Sequence, residues 1–384
     1  MKCLKKTLLI SVVLINAFTF SACWDYKELS DVVNIAGVAI DKVEDKYILT
    51  QEIMIPTPEK GGTKVRSQIV ITEGDSIFDA IRKSIPKTGK KIYWRHAKVV
   101  IISQKICEEN IIPVIDFINR DAEPRGNMKL LVSKENTAGE ILNNPDKAKD
   151  QVLSYKINNT LISQVYSAVY PVINVWRFIE DLSKEGASPI VPSIVNVKND
   201  DKKVFEVYGS YVFNKDKLVG WLNGDESKST LFIKDKIKSG AIVVESYMEG
   251  IKYTNTLEIL GSKTKIKPIY KDNKITLNIN VETDVAIAEL DQKRNFIDEK
   301  GRKILAEDAE KFVETNLNNV IHKVQTKFGS DIFGFSSEIQ RDMPKVWKKI
   351  QPYWEEEFKK IDTNVQVKIN IKGSALMQKP IEVK

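Results

Sequence analysis

The chain has 384 residues, of which 42% are apolar and 29% charged, with 18 glycines and 13 prolines, an ordinary globular composition. That composition excludes disordered, collagenous and multi-span membrane classes, and the length suits two or three domains. Three cysteines make no disulfide framework, and the formal charge of +7 falls to about +4 once Lys2, Lys5 and Lys6 are removed with a leader, too weak an excess to argue for nucleic acid.

Met1 to Lys6 is a short basic region, and Thr7 to Phe20 is an apolar run too short to span a bilayer stably. Residues 1–22 therefore read as a signal peptide. The small residues Ser21 and Ala22 lead directly into Cys23, a pattern that resembles a bacterial lipobox with Phe20 where Leu is usual. That resemblance implies cleavage before Cys23 and a diacylglycerol on its thiol, an anchor that holds because two acyl chains bind a bilayer where one is marginal. Trp24 would then sit near the lipid headgroups, where indole is favoured.

Val32 to Ile40 and Tyr47 to Ile55 predict a β-hairpin, and Pro56 to Thr63 a surface loop. Ser76 reads as the N-cap of a helix presenting Ile77, Phe78, Ile81 and Ile85 and ending at Pro86. The apolar run ending Val99 to Ser103 predicts a buried strand, followed by a helix over Gln104 to Asn119, a short strand at Lys129 to Val132 and a short helix at Thr137 to Leu142. Helical spacing continues from Lys147 to Lys184 with a break at Pro171. The polar run Lys198 to Lys203 is the best domain boundary by composition, giving an N-terminal region 23–200, divisible near 145, and a C-terminal domain 201–384.

Beyond that boundary, strands are expected at Val204 to Phe213, Leu218 to Leu222, Ala241 to Tyr247, Lys263 to Tyr270 and Ile275 to Val281, with a short helix at Leu231 to Ile237. In Ile275, Leu277, Ile279 and Val281 apolar residues alternate strictly with polar ones, so one sheet face is buried and one is wet. Ile304 to Phe328 predicts a long helix that crosses a whole domain. Ser336 to Ile350 and Pro352 to Ile361 read as helices, and a strand from Val365 closes the chain before Gly373. The fold class is α+β, multidomain, with mixed and antiparallel sheets and packed helices, the C-terminal domain being an antiparallel sheet under one long covering helix.

Several segments together resemble the Ger(x)C family, the lipoprotein C subunits of spore germinant receptors. They are Cys23-Trp24-Asp25 with Glu28-Leu29; the stretch ending Gly37-Val38-Ala39-Ile40-Asp41; Arg95-His96-Ala97-Lys98; Asp116 to Asp121; and Asp331 to Phe335 with Pro344, Trp347, Trp354 and Phe358. The resemblance implies a protein tethered to the outer face of the spore inner membrane, acting in nutrient-triggered germination with an A subunit and a transporter-like B subunit. It implies no catalytic residue and no cofactor.

The residues themselves advertise little chemistry. His96 and His322 stand far apart, and no zinc, nucleophile-elbow or phosphate-loop motif occurs, so neither an enzyme nor a metal site is expected. His96 reads as a hydrogen-bonded structural histidine, with a ligand or pH-sensing role the alternative, and Cys107 as a reduced core thiol. Trp347, Ile350, Trp354 and Phe358 read as core, and the lysines among them as a solvated face. Asp116 and Arg120 are spaced as a helical ion pair, and Arg120 and Arg125 are candidate contacts to a receptor partner. Two other functions stay open: an extracytoplasmic solute-binding lipoprotein serving a transporter, and an envelope hydrolase.

Overall fold

The computed structural model describes residues 32–146, 152–248, 251–291 and 296–373. Cys23, Trp24 and the leader lie outside the described residues.

Two sheets organise the chain. The first contains β1 (Val32–Val43), β2 (Lys46–Glu59), β3 (Gly62–Gly74), β4 (Lys91–Tyr93), β5 (Val99–Ser103), β6 (Lys129–Ser133), β7 (Ile190–Asn199), β8 (Lys202–Asn214) and β9 (Lys217–Leu222). Their order is β3-β2-β1-β5-β6-β7-β8-β9, with β4 beside the start of β1. The centre is parallel, β1 to β5 to β6 to β7, and both flanks are antiparallel hairpins. Parallel strands need covered faces, and the sequence supplies them. All five residues of β5 are buried: Val100 and Ile102 face one apolar cluster with Trp94, Ile106, Val114 and Phe178, while Val99 and Ile101 face another with Ile141, Leu153, Ile157 and Leu161.

The second sheet is β10 (Ala241–Met248), β11 (Ile251–Lys271), β12 (Lys274–Glu289) and β13 (Asp362–Gly373), in that order. Ile275, Leu277, Ile279 and Val281 turn to the core beneath the helix Glu299–Lys323, whose Leu305, Ala309, Val313 and Leu317 are buried against them. One feature departs from the antiparallel expectation: β13 joins β12 in parallel. The physical reason is the connection, because the covering helix lies between these two strands and a crossover of that length returns the chain in the same direction.

Other differences are local. Pro56 to Thr63 is not a loop: β2 runs on to Glu59 and β3 starts at Gly62, with Pro56 opposite Val65. Pro56 and Pro58 are two residues apart, so both missing N–H groups fall on the edge where pairing with β1 has already stopped. The expected helix over 104–119 is two, Gln104–Glu109 and Ile112–Arg120, divided at Asn110 with Pro113 in the first turn of the second. The predicted short helix at Leu231 to Ile237 is Gly224–Ile233, started by an Asn223 and Glu226 capping box. The long helix changes to a π-helical turn at Val324–Phe328.

Lys198 to Lys203 forms the end of β7, a turn and the start of β8, and the sheet continues across it. Ile190, Val212 and Leu222 of the first sheet pack in one apolar cluster with Leu277 and Leu317 of the second half. The change from one sheet to the other comes after Leu222.

Candidate functional site

The family-like residues hold distant pieces of backbone together. On β1, a Cβ added at Gly37 would lie 2.4 Å from Ser154 Oγ, so glycine is what lets the helix Leu153–Ile162 rest on the strand. Four residues on, Asp41 is buried; its Oδ1 accepts the Ala138 N–H at 2.6 Å and its Oδ2 the Gly139 N–H at 2.9 Å. Burial pushes this carboxyl above the usual aspartate value, against the lowering effect of those two bonds. On β2, the fully buried Glu52 accepts the N–H groups of Leu153 at 2.9 Å and Ser154 at 2.7 Å. Each acid thus satisfies the otherwise orphaned donors at a helix start.

The Asp331 to Phe335 segment works in the same way at the joint between the sheets. Asp331 is buried, with Oδ1 accepting from Gly334 at 2.9 Å and Phe335 at 3.0 Å and Oδ2 from Ser336 at 2.7 Å. Gly334 has φ of +87°, a left-handed conformation that glycine adopts freely, and it lets the chain double back over the carboxylate into the helix Phe335–Asp342. The Asp331 carbonyl accepts the Ser188 N–H at 2.9 Å, and Trp354 Nε1 donates to the Gly186 carbonyl at 2.9 Å, so this motif fastens the second half to the loop before β7. The half-buried Lys234, its pKa lowered by desolvation, donates to the Ile332 carbonyl at 2.6 Å. A cleft of about 350 Å³ opens beside the joint, lined by Lys184, Ser188, Asp216, Asp331, Trp354 and Glu355.

The aromatic stripe is core: Trp347 and Trp354 meet edge to face at 5.2 Å, and Phe358 lies 6.0 Å from Trp354 and 6.1 Å from Phe335. Lys345, Lys348, Lys349, Lys359 and Lys360 are exposed around it. Cys107 is fully buried, and burial raises its thiol well above the ordinary value, so the thiol is inert at neutral pH. His96, expected as a hydrogen-bonded structural histidine, is exposed at the end of a 3₁₀ turn, where Trp94 takes the buried position. His322 is exposed. Among the described residues no group of three His, Cys, Asp or Glu side chains is placed to hold a metal.

Arg120 and Arg125 are both exposed, five residues apart in the chain. Arg120 is forked onto Asp116 at 2.9 and 3.1 Å, which holds that carboxyl below its ordinary value. Arg125 has no ion-pair partner among the described residues. Beside it, Trp176 is 62% exposed, its indole lying flat where a Cβ on Gly126 would come within 1.8 Å of Nε1. The sequence pattern hid Trp176, because it falls among the apolar residues of an amphipathic helix, Val175–Ser183.

Two family models match the chain in order: the spore germination protein N-terminal domain over residues 25–195, and the spore germination B3/GerAC-like C-terminal model over residues 208–375. The chain belongs to the GerAC-like spore germination family. The gap between the two family models, residues 196–207, falls inside the β7–β8 hairpin, and together the models contain all the buried acids described above. A family member named spore germination protein KC, from Bacillus subtilis, is 24% identical over 404 residues, covering 98% of both chains. Spore germination protein B3 of the same organism is 25% identical over 368 residues, covering 94% of this chain and 96% of its own. The crystal structure of the GerBC protein superimposes with a TM-score of 0.60 at 23% identity, covering 91% of this chain and all of the other, which gives the GerAC-like chain the same fold.

Proposed function

We propose that this chain is the membrane-anchored C subunit of a spore germinant receptor, needed for nutrient-triggered germination. A diacylglycerol on Cys23 holds it to the outer face of the spore inner membrane, and it acts with A and B subunits through its surfaces and not by catalysis. The observation that carries this reading is the ordered match of both family models, joined to the role of the family-like polar residues. Asp41 and Asp331 are committed to backbone N–H groups at helix starts and loops, not aimed at a substrate. Among the described residues no helix is long and apolar enough to cross a membrane, so attachment in this reading falls to the lipid on Cys23. Trp24, beside the anchor, and the exposed Arg120 and Arg125 belong to the contact surface.

Co-purification from detergent-solubilised spore membranes tests the assembly: the chain should bring down the A and B subunits, and its loss should abolish the nutrient response. Metabolic labelling with a fatty acid tests the anchor, since Cys23→Ala should be neither labelled nor cleaved at the same place. The joint cleft of about 350 Å³ supports a second reading, a solute-binding lipoprotein. A solute that raises the unfolding temperature of the isolated protein as binding linkage requires would favour it.

A further inference from the structure

One end of the first sheet gathers features that the family-like contacts do not use. It is the end at which β1 begins. Eight residues lie between Cys23 and Val32, nine Cα-to-Cα steps (32 − 23), a tether that reaches at most about 30 Å. Val32 pairs with Lys91, Lys91 is ion-paired with Glu123, and two residues further on stands Arg125, next to Gly126 and the exposed Trp176. The β2–β3 hairpin projects from the same end. Ile35 of β1 faces Ile53, and β2 continues six residues beyond it (59 − 53) while β1 extends only three (35 − 32). Its tip therefore passes the start of β1 by about 10 Å.

The composition of this end is that of a bilayer-facing surface. Ile55 and Val65 on the hairpin are each 39% exposed, and Lys60 at the tip, Lys90 and Arg125 are exposed with no ion-pair partner among the described residues. The opposite end of β1, about 35 Å away, closes in a turn carrying exposed Glu44 and Asp45. Glu59 and Glu123 near the anchor are held by Arg66 and Lys91, and Lys46 at the far end by Glu73, so the charges left over are basic beside the tryptophan and acidic at the far turn, which gives the sheet an electrostatic direction with respect to a charged plane.

Resting on the anchor reading above, we propose that this end docks on an anionic lipid bilayer. Trp176 and the tip of the β2–β3 hairpin enter the headgroup layer, while Lys60, Lys90 and Arg125 meet lipid phosphates, which leaves Arg120 of the two arginines as the contact to a receptor subunit. The acyl chains supply the attachment. Docking supplies the orientation, holding the sheet upright with the β1–β2 turn away from the membrane.

The test uses the full-length lipoprotein in vesicles of equal parts phosphatidylcholine and phosphatidylglycerol, spin-labelled at a single added cysteine. Asn127→Cys reports beside Trp176 and Gly62→Cys reports at the hairpin tip, each leaving the proposed contacts in place, and Asp45→Cys reports at the far end. Cys107 is buried and the lipid occupies Cys23, so in acylated protein the added thiol is the one that reacts; unacylated protein is labelled with Cys3→Ser and Cys23→Ser in place. The expected result is shielding of labels 127 and 62 from a water-soluble relaxation agent while label 45 stays exposed. Arg125→Gln and Lys90→Gln should each lower the docked-to-free ratio by about fivefold, and pure phosphatidylcholine should abolish docking. Labels 127 and 62 as exposed as label 45, in protein shown by fatty-acid labelling to be acylated, overturn docking and leave the anchor standing. Protein found unacylated overturns the anchor; the same labels on bound vesicles then uphold docking if shielded and reject it if exposed. Shielding that arises only after the A and B subunits are added assigns the surface to a protein partner and overturns the lipid proposal.

Discussion

The two sheets solve burial differently. The first is covered on both faces, so its central strands are continuous apolar runs such as Val99 to Ile102, and its buried acids Asp41 and Glu52 hold the covering helices. The second buries one face only, so β12 alternates, and its outer side carries Asn280, Glu282 and Lys265 in the open. The lesson is that a sheet with two covered faces buries charged groups to fasten its helices, whereas one with a wet face keeps its charged groups in water and buries only neutral ones, Ser246, Asn255, Thr264 and Thr283.

The largest effect that would break this contrast is expected in the second sheet. Leu277 is fully buried under the long helix, and Leu277→Ala should lose about 2–5 kcal/mol, while Asn280→Ala, on the opposite face, should stay within ~0.5 kcal/mol. Chemical unfolding of the pair measures the difference. Equal losses would show that both faces are covered.

Next comes the close approach in the first sheet. Gly37→Val should cost about 1–3 kcal/mol, because its Cβ would collide with Ser154 and with Val99, whereas Gly261→Ala in β11 meets no atom within 4 Å and should be nearly neutral. Thermal unfolding of the two variants would sharpen the distinction between covered and open strands.

A third test addresses the joint. Asp331→Asn replaces part of a triple acceptor and should cost about 1–3 kcal/mol by leaving a buried N–H without its partner. The pH dependence has a definite sign. Burial raises the Asp331 pKa above 3.8 in the folded protein, so the native state binds the proton more tightly than the unfolded chain. The stability this group contributes is complete below pH ~3.8 and declines as pH rises through the folded value. The difference between wild type and Asp331→Asn should therefore shrink from acid toward neutral pH in denaturant titrations. A difference that grows over that range would mean the bonds to Gly334, Phe335 and Ser336 outweigh desolvation.

The smallest effect belongs to Cys107. Cys107→Ala should leave germination intact at a stability cost of about 1–2 kcal/mol, and the native thiol should resist alkylation until the protein unfolds. Loss of germination in a variant that folds normally would give the thiol a chemical role.

What the sequence disclosed follows from the same contrast. The β1–β2 hairpin, β5, β12 and the long helix are legible because their apolar spacing is local and regular. β3 was hidden, since its exposed Val65 and Ile71 leave no clean alternation, and so was the full length of β11, whose Gly261, Ser262 and Lys263 interrupt the pattern. Both persist as strands through pairing with a neighbour. The roles of Asp41, Glu52 and Asp331 are not legible in spacing, because the groups they bind are set beside them only by the finished fold. Trp176 needed the structure to show that it faces outward.

The buried acids of the first sheet also bear on how the protein folds. Asp41 binds N–H groups 97 and 98 residues away, and Glu52 binds groups 101 and 102 residues away. The β1–β2 hairpin thus carries two carboxylates whose partners are synthesised about a hundred residues later. Until then the hairpin must keep both acids in water, and its apolar residues cannot close over them. Distant pairings of this kind close loops before they return any contact energy, which slows folding. In the exported lipoprotein proposed above such delay would have a use, since a first hairpin that cannot lock by itself stays open for passage across the membrane.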